Sequence, residues 1–472
     1  MDIERRAPDD VATRRDLDYL SEKQTARLLD PLFTTDAMRE IFSDRHRLQG
    51  MLDFEAALAR ALARAGVAPE SAVEPIAAQC RADLFSMDVL AREAALAGNL
   101  AIPLVKALTA AVAKSDPKAA GFVHWGATSQ DAIDTGLVLQ LRAALDLMQR
   151  ELLQFSVTLA RVAETHQATL LAGRTWLQQA SPTTLGLKVA GWLDAVHRQQ
   201  ERIARARNEV STLQFGGAVG TLAALGEKGP AVAAALASDL KLKLPSIPWH
   251  THRDRFAEVA TTLGLLVGTL GKIARDISLL AQTEVGEVLE PNESGRGGSS
   301  TLPHKRNPVG SAVALAAAIR VPALVSVMLT AMVQEHERGL GGWHAEWETL
   351  PEIFLLAAGA LAHMAHVVDG LEVYEEHMTH NLAATHGLIL SEAVAIALAK
   401  HIGRSAAHQL VERAAHRALE SGRPLRDLLL EDQEVRAQLS SAEIDGLLDA
   451  KNYTGSAASM IQQVLVDQKK HR

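Results

Sequence analysis

The sequence has 472 residues, of which 48% are hydrophobic and 22% are charged, and its formal net charge is -8. This length is too great for one ordinary core, so we expect two or three domains. The acidic balance and the lack of a basic face argue against nucleic acid as a main partner, but they allow an anionic small molecule, since a site needs only local positive charge. Aromatic residues make up only 4%, and the abundance of Ala and Leu favours helix over strand.

The N-terminal residues 1–25 are charged and lack a sustained hydrophobic period, so we interpret them as a loosely held extension. They contain no apolar segment typical of a secretory signal. The single cysteine, Cys80, fits a reducing compartment and is interpreted as a buried core residue. We therefore expect a cytoplasmic protein.

Helical patterns dominate the rest of the chain. From Asp36 to Gly66, apolar residues recur at spacings of three and four. Residues 137–172 contain neither Gly nor Pro over 36 positions, which as a helix would span about 54 Å. Further long runs lie at about 183–212, 254–290 and 308–335. Helices this long need partners of equal length, so the sequence predicts an all-α protein with a central bundle of long helices.

The same pattern divides the chain. We predict an N-terminal extension at 1–25, an N-terminal helical domain at 26–125, a central long-helix domain at 126–370 and a C-terminal helical domain at 371–472. The most apolar stretch, residues 311–333, has Arg320 and Pro322 at its centre, so we expect no membrane span and no membrane partner.

Three polar islands interrupt the helical pattern. The first island, residues 124–131 (HWGATSQD), lies just before the first long run. In one interpretation Thr128 or Ser129 caps the helix and Asp131 favours its dipole. In the other, the same hydroxyls and backbone N–H groups form an anion site at a helix start. The residues alone favour neither.

The second island, residues 173–184 (GRTWLQQASPTT), lies between the first two long runs. By itself it is interpreted as an ordinary loop with a cap at Ser181 or Thr183.

The third island, residues 297–308 (GGSSTLPHKRNP), places two glycines before paired serines and then concentrates positive charge at His304, Lys305 and Arg306. Hydroxyl groups on a mobile loop beside fixed cations suit proton abstraction from a carbon next to a carboxylate. The alternative is a basic surface linker.

Other patterns in the sequence give weaker or no evidence of function. The Gly-rich stretch lacks the G-x-x-x-x-G-K-[ST] order of a nucleotide cradle, and no G-x-S-x-G elbow occurs. His250 and His252 could suggest a metal, but two histidines without a third ligand are more often a polar helix start. We expect neither a metal nor a cofactor.

The third island resembles the signature of the fumarase/aspartase superfamily, G-S-S-x-x-P-x-K-x-N-P. The matching positions are Gly298, Ser299, Ser300, Pro303, Lys305, Asn307 and Pro308. The first two islands are similar to the other two signature regions of that superfamily, so the resemblance covers the chain from about residue 30 onward. It implies a three-domain helical fold, a homotetramer with a core of twenty helices, and active sites that each draw the three regions from three subunits.

The resemblance also implies residue roles. Ser299 is the loop base, Lys305 and Asn307 hold a substrate carboxylate, and His124 takes the place of a substrate-site histidine of adenylosuccinate lyases. The catalytic set is thus Ser299, His124 and Lys305. Further substrate contacts are expected at the asparagine after Gly98 (Asn99), Thr128, Ser129, Gln130, Trp176, Gln178, Ser300, His304 and Arg338.

Two departures from the superfamily pattern are informative. Many members have His where this chain has Trp176, and they pair it with a Glu seven residues after the signature lysine, where this chain has Ala312. The absence of both halves of this acid dyad indicates a different reaction on the same scaffold. G-R-T-W-L-Q, H-W-G-A-T-S-Q-D and W-H-A-E-W (residues 343–347) are similar to segments of a branch that lactonises carboxymuconate. The resemblance then implies reversible intramolecular lactonisation of a small tricarboxylate, in which no leaving group is protonated.

Two rival functions remain. An adenylosuccinate-type lyase of the same superfamily would be expected to have the missing dyad. A non-catalytic structural relative is a second alternative, against which the intact set of Ser299, Lys305 and Asn307 argues.

Overall fold

The computed structural model describes residues 27–470, so the extension predicted at 1–25 lies outside the described residues. The first described part is helical. Its elements are α1 (Asp30–Phe33), α2 (Asp36–Ile41), α3 (Asp44–Arg64), α4 (Val73–Ala77), α5 (Met87–Ala97) and α6 (Ala101–Ser115), with 3₁₀ turns at Glu70–Ala72, Ala82–Leu84 and Ala119–Phe122. The side chains of Thr35 and Ser43 accept N–H groups at the starts of α2 and α3, and so they divide the first predicted run into two helices.

Long helices then form a central bundle. They are α7 (Ser129–Thr165), α8 (Leu185–Val210), the shorter α9 (Gly229–Leu240), α10 (Asp254–Leu280), α11 (Val309–Ala331) and α12 (Gly342–Asp369), with a 3₁₀ turn at Ala223–Lys228. The helices predicted in all four long runs are confirmed. The first, α7, has 37 residues and spans about 55 Å.

Two predicted boundaries were wrong. The chain leaves α7 at Thr165, and the last residues of the predicted run belong to a strand. The run expected to reach residue 290 stops at Leu280, where the chain turns through Gly286 at φ 60°. In both places polar residues after the last apolar turn allow the helix to end.

Contacts between helix ends give the bundle its direction. Arg253, just before α10, bonds to Asp134 at the start of α7, while Arg161 near the end of α7 pairs with Asp369 at the end of α12. The helices α7, α10 and α12 therefore run the same way. We call the two ends of the bundle the Ser129 end and the Thr165 end.

The helices α8 and α11 run in the opposite direction. Trp192 near the start of α8 donates to Asp276 near the end of α10 at 2.8 Å. Gly310 at the start of α11 lies against Val367 near the end of α12. The loop before α11, which is the third island, therefore lies at the Thr165 end.

The second island is a β-hairpin, so its interpretation as an ordinary loop was wrong. Strand β1 (Leu170–Thr175) pairs antiparallel with β2 (Gln178–Thr184), with a bulge between Ala172 and Arg174. A second short pair joins β3 (Val288–Leu289) to β4 (Glu372–Val373). Glycine, proline and several polar residues hide the hairpin in the sequence, because its strands are stabilised by pairing rather than by an alternating apolar face.

The C-terminal part is helical. Its elements are α13 (Glu375–Ala383), α14 (Ser391–Ile402), α15 (Arg404–Ser421), α16 (Leu425–Glu431), α17 (Gln433–Arg436), α18 (Ser441–Leu447) and α19 (Ala457–Gln468), with 3₁₀ turns at Leu388–Leu390 and Ala450–Tyr453. One continuous apolar cluster joins the N-terminal helices to the bundle, and a second one lies between Val394 and Ile444. The predicted domain bounds stay a prediction.

Two glycines set the approach of α3 to α7. A Cβ on Gly50 would lie 2.8 Å from the carbonyl oxygen of Gly136, and a Cβ on Gly136 would lie 3.0 Å from the backbone nitrogen of Met51. Only glycine at both positions allows this close crossing. The crossing brings Glu55 of α3 to the first island.

The helix α11 exposes an unusual amount of apolar surface. Three described helices, α10, α11 and α12, are long and apolar enough by length and composition to cross a membrane, but only 28% of the apolar window of α11 is buried, against 61% and 67% for the others. Ile319, for example, is 77% exposed. The helix continues through Pro322, and Arg320 pairs with Glu352 of α12. A contiguous exposed apolar face of this kind marks an interaction surface.

Candidate active site

The first island forms the turn before α7 and the first turn of that helix. Thr128 is the N-cap residue and Ser129 the first helical residue, as the cap interpretation predicts. His124 has φ 57° and Gly126 has φ 79°, and these two left-handed residues fold the chain back toward α3. His124 Nδ1 lies 2.5 Å from Oε1 of the buried Glu55. The histidine ring is thus fixed by a carboxylate that the sequence analysis did not identify.

Opposing effects act on the pKa of His124. Burial disfavours the charged imidazolium, whereas Glu55 and also Asp131 favour it, and the balance raises the pKa above its ordinary value. The ring therefore keeps its proton to higher pH than a free histidine. When protonated, the ring places a positive charge beside the start of α7, where backbone N–H groups attract anions, so the cap and anion-site interpretations of the first island are compatible.

Asp131 is the centre of a buried hydrogen-bond network under the first island. Its carboxylate accepts the N–H groups of Thr128 at 3.0 Å, Gly216 at 3.0 Å and Gly217 at 2.9 Å. It also lies 2.8 Å from His250 Nε2. A buried carboxylate with this many partners fixes the relative positions of three chain segments. His250, considered above as a metal ligand or part of a polar helix start, is a partner of Asp131.

Gln130 and Arg338 meet at the Ser129 end. The buried amide of Gln130 donates to Asp134 at 3.0 Å and to the carbonyl oxygen of His250 at 2.8 Å. Its Oε1 accepts from Arg338 Nη1 at 3.1 Å, while Arg338 Nη2 donates to the carbonyl oxygen of Ala218 at 2.8 Å. Gln130 therefore orients Arg338. The contacts with substrate expected of Gln130 and Arg338 stay predictions.

A buried cluster of charged side chains packs beside these residues at the Ser129 end. Arg253 donates to Asp134 at 2.6 Å and to Glu346 at 3.0 Å, and all three side chains are almost fully buried. Burial lowers the pKa of Arg253, but the two carboxylates raise it by more than burial lowers it. The net pKa lies above its ordinary value, so the guanidinium stays charged. Trp343 also donates to Asp134, at 3.0 Å. The W-H-A-E-W segment thus fixes α12 to α7, which the sequence did not indicate.

Asn99 lies at a helix start. Its Oδ1 accepts the N–H of Ile102 in the first turn of α6 at 3.2 Å. The ring of His344 lies 3.3 Å from the carbonyl oxygen of the preceding Gly98. The structure therefore gives Asn99 a capping contact, and its expected contact with substrate stays a prediction.

The second island presents its tip to the exterior of the chain. Trp176 is 97% exposed at the turn between β1 and β2, and it adopts φ 52°, while the neighbouring Leu177 adopts φ 64°. Gln178, the first residue of β2, is also exposed. Below the tip, Arg174 forms an ion pair with the buried Glu287 at 2.6 Å. A large exposed indole on a strained but anchored turn suggests a contact beyond this chain.

The third island is a loop closed on itself. Both the backbone N–H and the side-chain amide of Asn307 donate to the carbonyl oxygen of Gly297, at 2.8 and 3.0 Å. Ser299 Oγ accepts the N–H groups of Thr301 at 3.3 Å and Leu302 at 3.0 Å. The side chains expected to meet substrate beside Ser299 lie on the exposed part of the loop: Ser300, His304 and Lys305.

Two carboxylates, Glu290 and Glu372, hold the base of this loop. Glu290 accepts the N–H groups of Gly310 at 2.9 Å and Ser311 at 2.8 Å, and so it caps α11. Arg306 forms a two-pronged pair with Glu372 at 2.8 Å on each oxygen. The hydrogen bond from Arg306 lowers the pKa of Glu372 to about 2. Arg306, one of the three positively charged or basic residues of the third island, is thus ion-paired within the chain.

Within one chain the candidate residues divide into two groups. His124, Thr128, Ser129, Gln130 and Arg338 lie at the Ser129 end of the bundle. Trp176 and Gln178 lie with the third island at the Thr165 end, and α7 separates the two groups by about 55 Å.

Comparison with known families places the chain among lyases. Residues 32–323 match the family described as Lyase, and residues 387–464 match the family described as Adenylosuccinate lyase C-terminus.

Individual proteins are similar over almost the whole chain. A 3-carboxy-cis,cis-muconate cycloisomerase of Pseudomonas aeruginosa is 57% identical over 95% of this chain and 98% of its own. The crystal structure of the 3-carboxy-cis,cis-muconate lactonizing enzyme from Pseudomonas putida is 54% identical, with a TM-score of 0.90 over 94% of this chain and 99% of that one. The crystal structure of the beta-carboxy-cis,cis-muconate cycloisomerase from Acinetobacter calcoaceticus sp. ADP1 is 45% identical, with a TM-score of 0.89 over 93% of this chain and 100% of that one.

Proposed function

This chain belongs to the lyase family of the fumarase/aspartase superfamily, and we propose that it catalyses the reversible cycloisomerisation of 3-carboxy-cis,cis-muconate to 4-carboxymuconolactone. The observation that carries this proposal is the combination of a complete signature loop with Trp176 and Ala312 in place of the acid dyad. It agrees with the identity of the chain to cycloisomerases over almost its full length. The reaction belongs to the breakdown of protocatechuate.

The reaction is internal to one molecule. A carboxylate oxygen of the substrate forms a bond to one carbon of its own double bond, and a proton adds to the neighbouring carbon. In the reverse direction Ser299 removes that proton, and the neighbouring carboxylate stabilises the charge that develops. No amine or nucleotide departs, so no group equivalent to the missing His/Glu dyad is needed to protonate one.

A substrate with three carboxylates needs several donors. The Ser129 end offers the imidazolium of His124, the guanidinium of Arg338 and the N–H groups at the start of α7. The Thr165 end offers Lys305, His304 and Asn307 on the third island, and Trp176 at the hairpin tip. These residues together form a site for a trianion.

These donors act together only if different copies of the chain assemble, and we propose a homotetramer with shared sites. Two features support this. The 55 Å between the two groups exceeds the size of any small tricarboxylate. The helix α11 exposes an apolar face, and an open groove of about 770 Å³ lies between α8 and α10, so neighbouring long helices have surfaces to cover.

We also propose a cytoplasmic location. It is supported by Cys80, a free thiol that is buried and donates to the carbonyl oxygen of Ile76, as expected of a core cysteine. Burial raises the pKa of this thiol further above its ordinary value, so it stays neutral and unreactive.

One assay separates the proposal from its rivals. The purified protein is given carboxymuconate, adenylosuccinate and argininosuccinate in parallel, and the loss of the conjugated diene or the release of fumarate is followed by absorbance. We expect turnover of carboxymuconate alone. Cleavage of adenylosuccinate would favour the lyase alternative, and no turnover of any of the three would favour the non-catalytic alternative. Ser299→Ala serves as the inactive control.

A further inference from the structure

A buried carboxylate lies behind His124, and the reaction described above assigns it no part. Glu55 belongs to α3, and its side chain is 1% exposed. Its Oε1 lies 2.5 Å from His124 Nδ1, while its Oε2 is buried and has no hydrogen-bond partner among the described residues. An ionised carboxylate is costly to bury unless a cation compensates it. In the part of the chain that the structure describes, the ring of His124 is the only group that hydrogen-bonds to the carboxylate of Glu55.

We propose that Glu55 is a positioning residue, which holds His124 as an imidazolium and aims its Nε2–H at a substrate carboxylate. The inference rests on the proposed function, because it assigns a further residue to that same site. A carboxylate only accepts hydrogen bonds, so Nδ1 must carry a hydrogen whenever Glu55 is ionised. Nε2 is then the nitrogen left for substrate.

The placement of the ring agrees with this role. Nε2 makes no hydrogen bond to a described residue, and the side chain of His124 is 16% exposed, so it reaches the surface beside the start of α7. The backbone of His124 is left-handed, at φ 57°, a conformation that the contact with Glu55 helps to hold. A charged donor fixed from behind loses little freedom when it binds an anion.

The charges around the ring act in one direction. Glu55 from α3 and Asp131 from α7 both favour the imidazolium, against the effect of burial. The loop packed on Gly126 contributes Gly217 and Leu225, which carry no charge. Behind Glu55 lies the neutral thiol of Cys80, with Asp53 and Arg60 on the same helix α3. Binding through His124 is therefore lost only when the pH rises through a raised pKa.

The first test is Glu55→Gln, which keeps an oxygen to accept from Nδ1 but removes the charge. In the wild type, KM for carboxymuconate should rise only as the pH approaches the raised pKa of His124. In the variant this pKa falls, so the rise in KM should begin at lower pH, and kcat/KM should fall several-fold at pH 8 while staying within about twofold at pH 6. The drop should lie mainly in KM, because the lost interaction is with a carboxylate.

A matched control is available in the same N-terminal region. Glu40→Gln removes the carboxylate from an exposed pair, in which His46 Nδ1 lies 3.3 Å from Glu40. This variant should keep the wild-type pH profile. Circular dichroism and light scattering on both variants show whether the fold and the assembly are intact.

Two further measurements separate positioning from mere packing. Histidine labelled with ¹³C at Cε1 reports the pKa of His124 in the resting protein, with its signal assigned by its loss in His124→Asn. That pKa should be lower in Glu55→Gln than in the wild type, because the charge of Glu55 helps to raise it. In the double variant, Glu55→Gln should add no further loss to that of His124→Asn, because Glu55 acts only through the ring.

The outcomes are distinguishable. If the wild type converts carboxymuconate and Glu55→Gln changes neither the pKa of His124 nor the pH dependence of KM, the inference is overturned and the proposed function stands. If the wild type is inactive on carboxymuconate, the proposed function fails. In that case an unchanged pKa of His124 in Glu55→Gln would overturn the role of Glu55 as well, and a lowered pKa would keep it for whatever anion the site binds.

Discussion

The two ends of the bundle are built differently. At the Ser129 end, His124 and Arg338 are each held by a partner within the chain, and Asp131 and Arg253 are buried in satisfied networks. At the Thr165 end, the loop that carries Ser299 is exposed and bonds mainly to itself. The Ser129 end is therefore held by contacts within the chain, and the third island is a loop held mainly by its own hydrogen bonds. The proposed reaction needs residues of both ends, so we expect a site completed between copies.

The largest expected effect is on activity at the Thr165 end. Ser299→Ala should lower kcat by about 10²–10⁴-fold, as the loss of an essential proton-transfer group does. The melting temperature should not change, because among the described residues Ser299 Oγ accepts only two N–H groups, both within its own exposed loop. Steady-state kinetics and thermal unfolding measure the two quantities. Ser421→Ala, which removes the hydroxyl of an exposed serine of α15, is the control. Near wild-type turnover in Ser299→Ala would show that Ser299 is not the base, and Ser300 or His124 would then be the next candidate.

The opposite pattern is expected at the Ser129 end. Arg253→Met leaves the carboxylates of Asp134 and Glu346 buried without a cation, which should lower the free energy of unfolding by about 3–5 kcal/mol. Urea denaturation measures it. Arg161→Met removes an exposed ion pair and should have a much smaller effect. Equal stabilities of the two variants would show that the Ser129 end is not held by these buried contacts.

A smaller effect is expected where this chain departs from its lyase relatives. Trp176→His combined with Ala312→Glu should not create cleavage of adenylosuccinate or argininosuccinate, and it should lower kcat/KM for carboxymuconate by about 10- to 100-fold. The change places a carboxylate near a site for a trianion and removes an indole from it. Both positions are exposed in the chain, so stability should change little. The two single variants are measured beside the double variant. An unchanged cycloisomerase rate in the double variant would show that neither Trp176 nor Ala312 contributes to the reaction.

The sequence predicted the long helices well and the supports of the site poorly. Residues 137–172 indicated a long helix because no Gly or Pro interrupts them, and the third island was found because its residues match a specific signature. Glu55 lies in an amphipathic helix, where a glutamate is expected to face solvent. Its burial follows from the glycine crossing of α3 and α7, and that contact between distant segments leaves no local pattern.

The same holds for Arg253, which directly follows His250 and His252 of the predicted polar helix start. Its partners are 119 and 93 residues away in the sequence, so only the tertiary fold brings these charges together. The hairpin of the second island was missed for a related reason, since pairing between β1 and β2 stabilises strands that have no apolar alternation.

The most direct test of a site completed between copies is complementation. His124→Asn disables the Ser129 end and Ser299→Ala disables the Thr165 end, so each homo-oligomer should be nearly inactive. The two variants are mixed in equal amounts, unfolded, refolded together and assayed with carboxymuconate, with each variant refolded alone as the control. If the two ends meet between subunits, random mixing should restore about a quarter of the wild-type activity, because one site in four then combines two intact regions. Activity no higher than that of the separate variants would place both groups of residues in one chain and contradict the account.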